Sequence, residues 1–337
     1  MSIVSDILDD VRRQLAPTDA ILKEARARRS RVLQVAGSFD GVRDNYYSGS
    51  IAHGTANSDL DADCGIFLDR RTHPDLGPDG EGRGPNETVE AVRKHIAAEL
   101  AGDDAKEVRC TKRRAIQVSF DTEPNVDLVV ALDRKSEPGV WIPNRPEDEW
   151  DPAHPSEHTR LLLQGGPDLV RVRARVVRLA KGWDAQFKSR AVSSFNIEAL
   201  ALECVDQSMT EALALAEVFS YGAKTIEANG ETDDPAHVSG PIRLLLDRDV
   251  VVARLQKAAE LMSRAIDHED DEGIVREALA ELFWDYVSPP EGSTGKAAVA
   301  AAARSGSTFS VGGSGLVVGS GVRELKQTRS YGDAQPK

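Results

Sequence analysis

Three aspartates and a Gly-Ser pair carry the chemistry that can be read from this chain. Gly49-Ser50 is followed, after a short spacer, by Asp61, Ala62, Asp63, Cys64, Gly65, Ile66, Phe67 and Leu68. In an extended strand the side chains alternate between faces, so Leu60, Ala62, Cys64, Ile66 and Leu68 form one apolar face. Asp61 and Asp63 share the other. Two carboxylates about 6–7 Å apart on one strand face repel unless a cation lies between them. Taken alone, such a pair is also compatible with a solvated edge. A third carboxylate, Asp127, stands inside the apolar run 126–132 (VDLVVAL), where it is costly without a cation or a hydrogen-bond partner. Hard divalent ions such as Mg²⁺ take oxygen ligands, and two of them in such a cluster can clamp a triphosphate and activate an attacking oxygen. Gly49 lets the backbone approach phosphate closely, and the Ser50 hydroxyl with nearby N–H groups can hold it. Phosphoryl and nucleotidyl transfer needs positioning and charge neutralisation more than a nucleophilic side chain. No Ser-His or Cys-His arrangement stands out. Asp59 has the same parity as the other two, so Asp59/Asp61 is an alternative pair; Asp61/Asp63 leads directly into the Gly-containing strand.

The elements that must position these residues follow from periodicity and breakers. Ile3, Ile7, Leu8, Val11 and Leu15 fall at helical spacing, and Thr18 or Asp19 can cap a second helix through about residue 35. A short strand over 41–47 leads into Gly49. The Gly- and Pro-rich stretch 72–87 reads as a surface loop, and 88–100 as an amphipathic helix. Segments 115–121 and 126–132 alternate around a four-residue turn and predict an antiparallel hairpin. Residues 134–157, rich in proline with Trp141 and Trp150, read as a crossing segment. From Pro167 the pattern is helical: Leu169, Val172, Val176, Leu179, Ala180, Trp183 and Phe187 form one stripe. A helix begins at Ser193-Ser194, with Ser194 as its N-cap. Further helices are predicted over 211–228, 237–246, 250–266 and 272–287. The fold class is therefore α+β in the first half and helical afterwards. Beyond Pro289-Pro290, Gly, Ser and Ala dominate, and 291–337 reads as a flexible or partly ordered tail.

Composition narrows the function. The 337 residues are 40% hydrophobic and 29% charged, with a net charge of −13. That balance argues against a protein that coats nucleic acid through its phosphates, although a small basic nucleotide pocket remains open to it. No apolar run reaches the length of a membrane span, and the acidic N-terminus is unlike a signal peptide. Cys64, Cys110 and Cys204 are too few and too far apart for a disulfide framework or a zinc site. A reducing cytoplasm is the expected compartment.

Gly49-Ser50 followed by Asp61-Ala-Asp63 resembles the hG[GS]…DxD signature of the DNA polymerase β-like nucleotidyltransferases, with Asp127 at their third carboxylate. Within that superfamily the chain resembles the bacterial cGAS/DncV-like nucleotidyltransferases (CD-NTases). DADCGIFL (61–68) is similar to their DxD strand. LAKGWD (179–184) resembles their helix with a Lys before an aromatic, and SSFNIEAL (193–200) resembles their S[YF]xLE-type segment. The resemblance spans roughly residues 1–288.

The resemblance implies a bilobed molecule: a polymerase β-like core with a mixed or antiparallel sheet over 1–157, a helical domain completing the nucleotide cleft over 158–288, and the tail 289–337. It implies that Asp61, Asp63 and Asp127 hold two Mg²⁺ ions, with Mn²⁺ as a substitute. It places Gly49, Ser50, Lys181 and Ser194 on the triphosphate and Phe195 against a base. Plainer roles stay open: Lys181 as a solvated lysine, Ser194 as a helix cap, Phe195 as core and His53 as structural. The implied activity joins NTPs into a cyclic or linear oligonucleotide, a second messenger in anti-phage defence acting on a separate effector. A regulatory protein partner is compatible with this; stable nucleic-acid or membrane partners are not expected. The alternatives are a nucleotidyltransferase acting on tRNA, a protein or a small molecule, and an inactive nucleotide-binding scaffold.

Overall fold

The computed structural model describes residues 2–290, apart from 83, 103, 111 and 136, together with the backbone of 307–312 and 315–320. Helix α1 (Ile3–Leu15) starts at Ser2, whose hydroxyl accepts from Ser5 N–H. Helix α2 (Asp19–Gly37) starts at Thr18, which accepts from Ile21 N–H in the same way. Both caps satisfy N–H groups that a helix start leaves open.

Seven strands form one mixed sheet. They are β1 (Val42–Tyr47), β2 (Ala62–Leu68), β3 (Ala105–Arg109), β4 (Ala115–Phe120), β5 (Val126–Asp133), β6 (Val140–Asn144) and β7 (Glu149–Ala153), with β1-β2-β5-β4-β3 as the main path. Strand β2 runs parallel to β5, and every other pairing is antiparallel. At the centre, Leu128, Val130, Ala131 and Leu132 are fully buried, as a strand covered on both faces requires. Strand β6 pairs with only the far end of β5 and continues into β7.

Two large apolar clusters carry the molecule. One joins the predicted face Leu60, Ala62, Cys64, Ile66 and Leu68 to α2 and to α4 (Pro85–Glu99). The other packs α6 (Pro167–Ala185), α7 (Ser194–Cys204), α8 (Glu211–Asn229), α9 (Arg248–Asp267) and α10 (Glu272–Leu282). Helix α1, although first in the chain, packs into this second cluster through Val4, Ile7, Leu8, Val11 and Leu15. Between the two halves lie α3 (Gly49–His53) and α5 (Pro155–Leu162).

Several local expectations are corrected. The Gly49-Ser50 turn is the first turn of α3. Segment 134–157 is the hairpin β6–β7 followed by α5. Its prolines fit because Pro143 and Pro152 lie in peripheral strands, where missing N–H donors are tolerated. Segment 237–246 is not a helix: Gly240-Pro241 interrupts it, and Asp234 instead accepts backbone N–H groups of Ala236, Val238 and Ser239. The cap of α7 is Ser193, in a reciprocal capping box with Asn196, and Ser194 is the first helical residue. Helix α10 ends at Leu282, short of 287. In the tail, β8 (Ser307–Gly312) and β9 (Gly315–Ser320) pair antiparallel; 291–306 and 321–337 lie outside the described residues.

Candidate active site

Strand register brings the acids together. In the β2–β5 pair Asp63 stands directly beside Asp127, and in β4–β5 Gln117 stands opposite Asp127. Three polar side chains therefore form a row across three strands. Asp61 immediately precedes β2. Asp59 is well exposed and lies 3.3 Å from Arg190, away from the row.

A residue that sequence reasoning missed completes the cluster. Lys112 Nζ donates to Asp61 Oδ2 at 3.0 Å and to Asp127 Oδ2 at 2.5 Å. Gln117 Nε2 reaches Asp127 Oδ1 at 3.5 Å. Burial pushes the Asp63 carboxyl up to about 7, and the charges of Asp127 and Asp61 add to the effect against Lys112 and Lys181. Burial also raises Asp127 despite the ammonium beside it. Lys112 itself is raised: burial works against its charge, but Asp127 and Asp61 outweigh it. One ammonium thus faces three carboxylates, which leaves negative charge uncompensated.

Gly49 lies so close to Asp63 that no side chain fits at this position. Its φ is +70°, and a Cβ built on it would fall 1.9 Å from Asp63 Oδ2. Only glycine meets both demands. Ser50 sits half-buried in α3, and its carbonyl accepts from Thr55 N–H at 2.9 Å.

Beneath α3 lies a buried polar network. Lys181 Nζ donates to Glu198 Oε1 at 2.7 Å and to Thr55 Oγ1 at 3.1 Å. Thr55 Oγ1 donates to the same Glu198 oxygen at 2.7 Å, and His53 Nδ1 bonds Glu198 Oε2 at 3.1 Å. His53 Nε2 meets Thr159 Oγ1 at 3.0 Å. Burial alone would raise Glu198, but Lys181 and His53 hold its carboxyl well below the usual range. Lys181 is therefore neither solvated nor free; it is close enough for Asp63 to feel its charge, yet tied to Glu198. Phe195 packs against the His158 ring with centroids 4.5 Å apart, and His158 bonds Asp234 at 2.6 Å. Ser194 lies next to Phe195 and is half-buried. Glu198 was within the SSFNIEAL segment, but nothing in the spacing paired it with Lys181. Lys112 was masked by its setting in a run of basic residues, TKRR.

The donor set bears on which ion could be held. It is all oxygen, which suits Mg²⁺ or Mn²⁺. Among the described residues no three His, Cys, Asp or Glu side chains stand ready-made around one point, and Lys112 bridges two of the acids. The residues fit the ion in chemistry and in excess charge, with the ammonium where positive charge is needed.

No protein-family model matches the chain, and no curated protein matches it by sequence. Solved structures do match. CdnC of E. coli MS115-1 with ATP superposes with a TM-score of 0.64 at 16% identity, over 83% of this chain and 97% of that one. The fold is that of the CD-NTases. The CD-NTase CdnG of Bradyrhizobium diazoefficiens, in complex with GTP, gives 0.63 at 16% identity, over 83% of this chain and 94% of that one. Vibrio cholerae DncV cyclic AMP-GMP synthase, in complex with nonhydrolyzable GTP, gives 0.52 at 15% identity, over 85% and 87%. At these identities the likeness speaks for the fold. In this CD-NTase fold the acid row and Gly49 face the helices that carry Lys181 and Glu198. No helix among the described residues is long and apolar enough to cross a membrane.

Proposed function

We propose that the chain is a nucleotidyltransferase that joins NTPs into a cyclic di- or oligonucleotide and releases pyrophosphate. The observation that carries this reading is the convergence of Asp61, Asp63 and Asp127 beside Gly49 within the CD-NTase fold. Asp61, Asp63 and Asp127 would hold the divalent ions, which would supply neutralisation of phosphate charge and a lowered pKa for the attacking hydroxyl. Asp127, beside Asp63 in the strand register, is placed to take the proton of a 2′- or 3′-hydroxyl. That oxygen bonds the α-phosphorus, the bond to the β-phosphate oxygen breaks, and pyrophosphate leaves. Gly49 and Ser50 cradle the triphosphate, and Ser194 lies on the opposite wall. Lys181 acts from behind α3, fixing it through Thr55 and Glu198. Phe195, backed by His158, offers a ring to a base.

The product is a second messenger acting on a separate effector, as in anti-phage signalling, and synthesis is open to control by a protein partner. The acidic surface favours small nucleotides over a polymer substrate. Pyrophosphate release from NTPs with Mg²⁺ tests the site. We expect the Asp61→Ala/Asp63→Ala double variant to lose at least about 10³-fold in rate, several kcal/mol of transition-state stabilisation. Unchanged turnover in that variant would remove the site.

A further inference from the structure

We propose that Lys112 is a latch on the carboxylate row: its ammonium takes the place of a divalent cation between Asp61 and Asp127, and a metal ion gains the site only by displacing it. The proposal rests on the reading of Asp61, Asp63 and Asp127 as metal ligands. Its basis is a two-point geometry, 3.0 Å to Asp61 and 2.5 Å to Asp127 from one nitrogen. An ammonium has three N–H donors and no acceptor, so two of its donors are spent on the acids that would otherwise coordinate an ion.

The surroundings make the side chain, and not the loop, the moving part. Lys112 lies between β3 and β4. Arg145 holds this loop: its Nη1 donates to the carbonyls of Cys110 and Lys112, the latter at 3.2 Å. Arg145 N–H also bonds the Arg113 carbonyl at 3.0 Å. The two neighbouring arginines are engaged elsewhere, Arg113 with Glu147 at 3.0 Å and Arg114 with Asp151 at 2.7 Å. Lys112 alone of the three reaches the acid row. Its side chain is 20% exposed, so its four-carbon stem can swing out without crossing the packed core. Lys181 cannot replace it, because it is tied to Glu198 and Thr55. A site closed by its own lysine binds an added ion with an affinity reduced by the fraction of molecules in which the latch is open. Metal-free protein thereby has two of its three carboxylates paired with an ammonium, and loading is discouraged until a competing anion draws the lysine away.

The test is Mn²⁺ binding without nucleotide, followed by the loss of the free-ion electron paramagnetic resonance signal, with thermal melts in parallel. Lys112→Met is expected to bind Mn²⁺ about tenfold more tightly than the wild type, the factor that corresponds to about 1.4 kcal/mol. It should melt lower without metal and recover with it. Lys112→Arg, which keeps the charge, should stay near the wild type. If Lys112→Met does not fold, Lys112→Gln is read the same way. Equal affinity in wild type and variant, with binding abolished by Asp127→Asn, would overturn the latch and leave the metal site standing. Absence of Mn²⁺ binding in wild type and variants alike would overturn both.

Discussion

Gly49 and Asp63 share a space too small for one more carbon. A methyl group at Gly49 would overlap the Asp63 carboxylate, and the φ of +70° adds backbone strain for any other residue. Gly49→Ala is therefore expected to push Asp63 out of the row, lowering kcat by about 10²-fold or more while costing only about 1–3 kcal/mol of stability. Steady-state kinetics beside urea unfolding will separate the two effects. Glu198 makes a different demand. Its carboxylate compensates Lys181 inside the protein, and breaking a buried pair leaves a stranded charge worth about 3–5 kcal/mol. Because its folded pKa is depressed, Glu198 contributes stability that is fully present above the ordinary glutamate value of 4.5 and is lost as pH falls below it. The gap between wild type and Glu198→Gln should be largest at neutral pH and narrow as pH is lowered from about 4.5 towards 2. A gap that widens in acid would show that Glu198 is not held as an anion. Asp127 was legible at this scale because an acid inside an apolar run violates a strong rule, and Asp61 and Asp63 because they share one strand face downstream of Gly49-Ser50. Lys112 and Glu198 were not, since their partners lie 15 and 17 or more residues away and charged residues are common on any surface.

At the scale of elements, the period of apolar residues revealed α1, α2, α6, α8 and α9 and the strands β1, β2, β4 and β5. What it missed has physical causes. Strand β3 is short and half-exposed, so its AKEVR sequence carries little alternation. The β6–β7 hairpin was hidden by prolines that a peripheral strand accommodates. The helix expected over 237–246 does not form, because a Gly-Pro break and the backbone bonds to Asp234 prevail. One helix contact is specific enough to test. Gly182 of α6 lets Leu15 of α1 lie so close that a Cβ would fall 2.5 Å from its Cδ1. Gly182→Val should cost about 1–3 kcal/mol through overpacking, and much less in a Leu15→Ala background, where the space exists. An equal cost in both backgrounds would assign the effect to something other than this contact.

The two large apolar clusters of the molecule are linked by residues 53–58, the end of α3 and the stretch that follows it. His53 and Thr55 reach Glu198, Asn57 Nδ2 donates to the Arg178 carbonyl at 3.1 Å, and Ser58 N–H donates to the Leu15 carbonyl at 2.9 Å. The same few residues that follow Gly49-Ser50 thus stitch the sheet half to the helical half. We propose that the two halves act as lobes dividing near residue 157, with the acid row on one wall and α7 on the other. The α+β class and the helical second half were legible from periodicity. The joint was not, because most of its hydrogen bonds join residues more than 100 positions apart. At this scale the central claim is that the chain needs only NTPs and a divalent ion, with no polymer or protein acceptor. Mass spectrometry of the products from a mixture of the four NTPs with Mg²⁺ tests it most directly. The expected result is a cyclic di- or oligonucleotide with matching pyrophosphate, absent from the Asp61→Ala/Asp63→Ala variant. A product that forms only when RNA, protein or a small acceptor is added, and that carries a single transferred nucleotide, would contradict it.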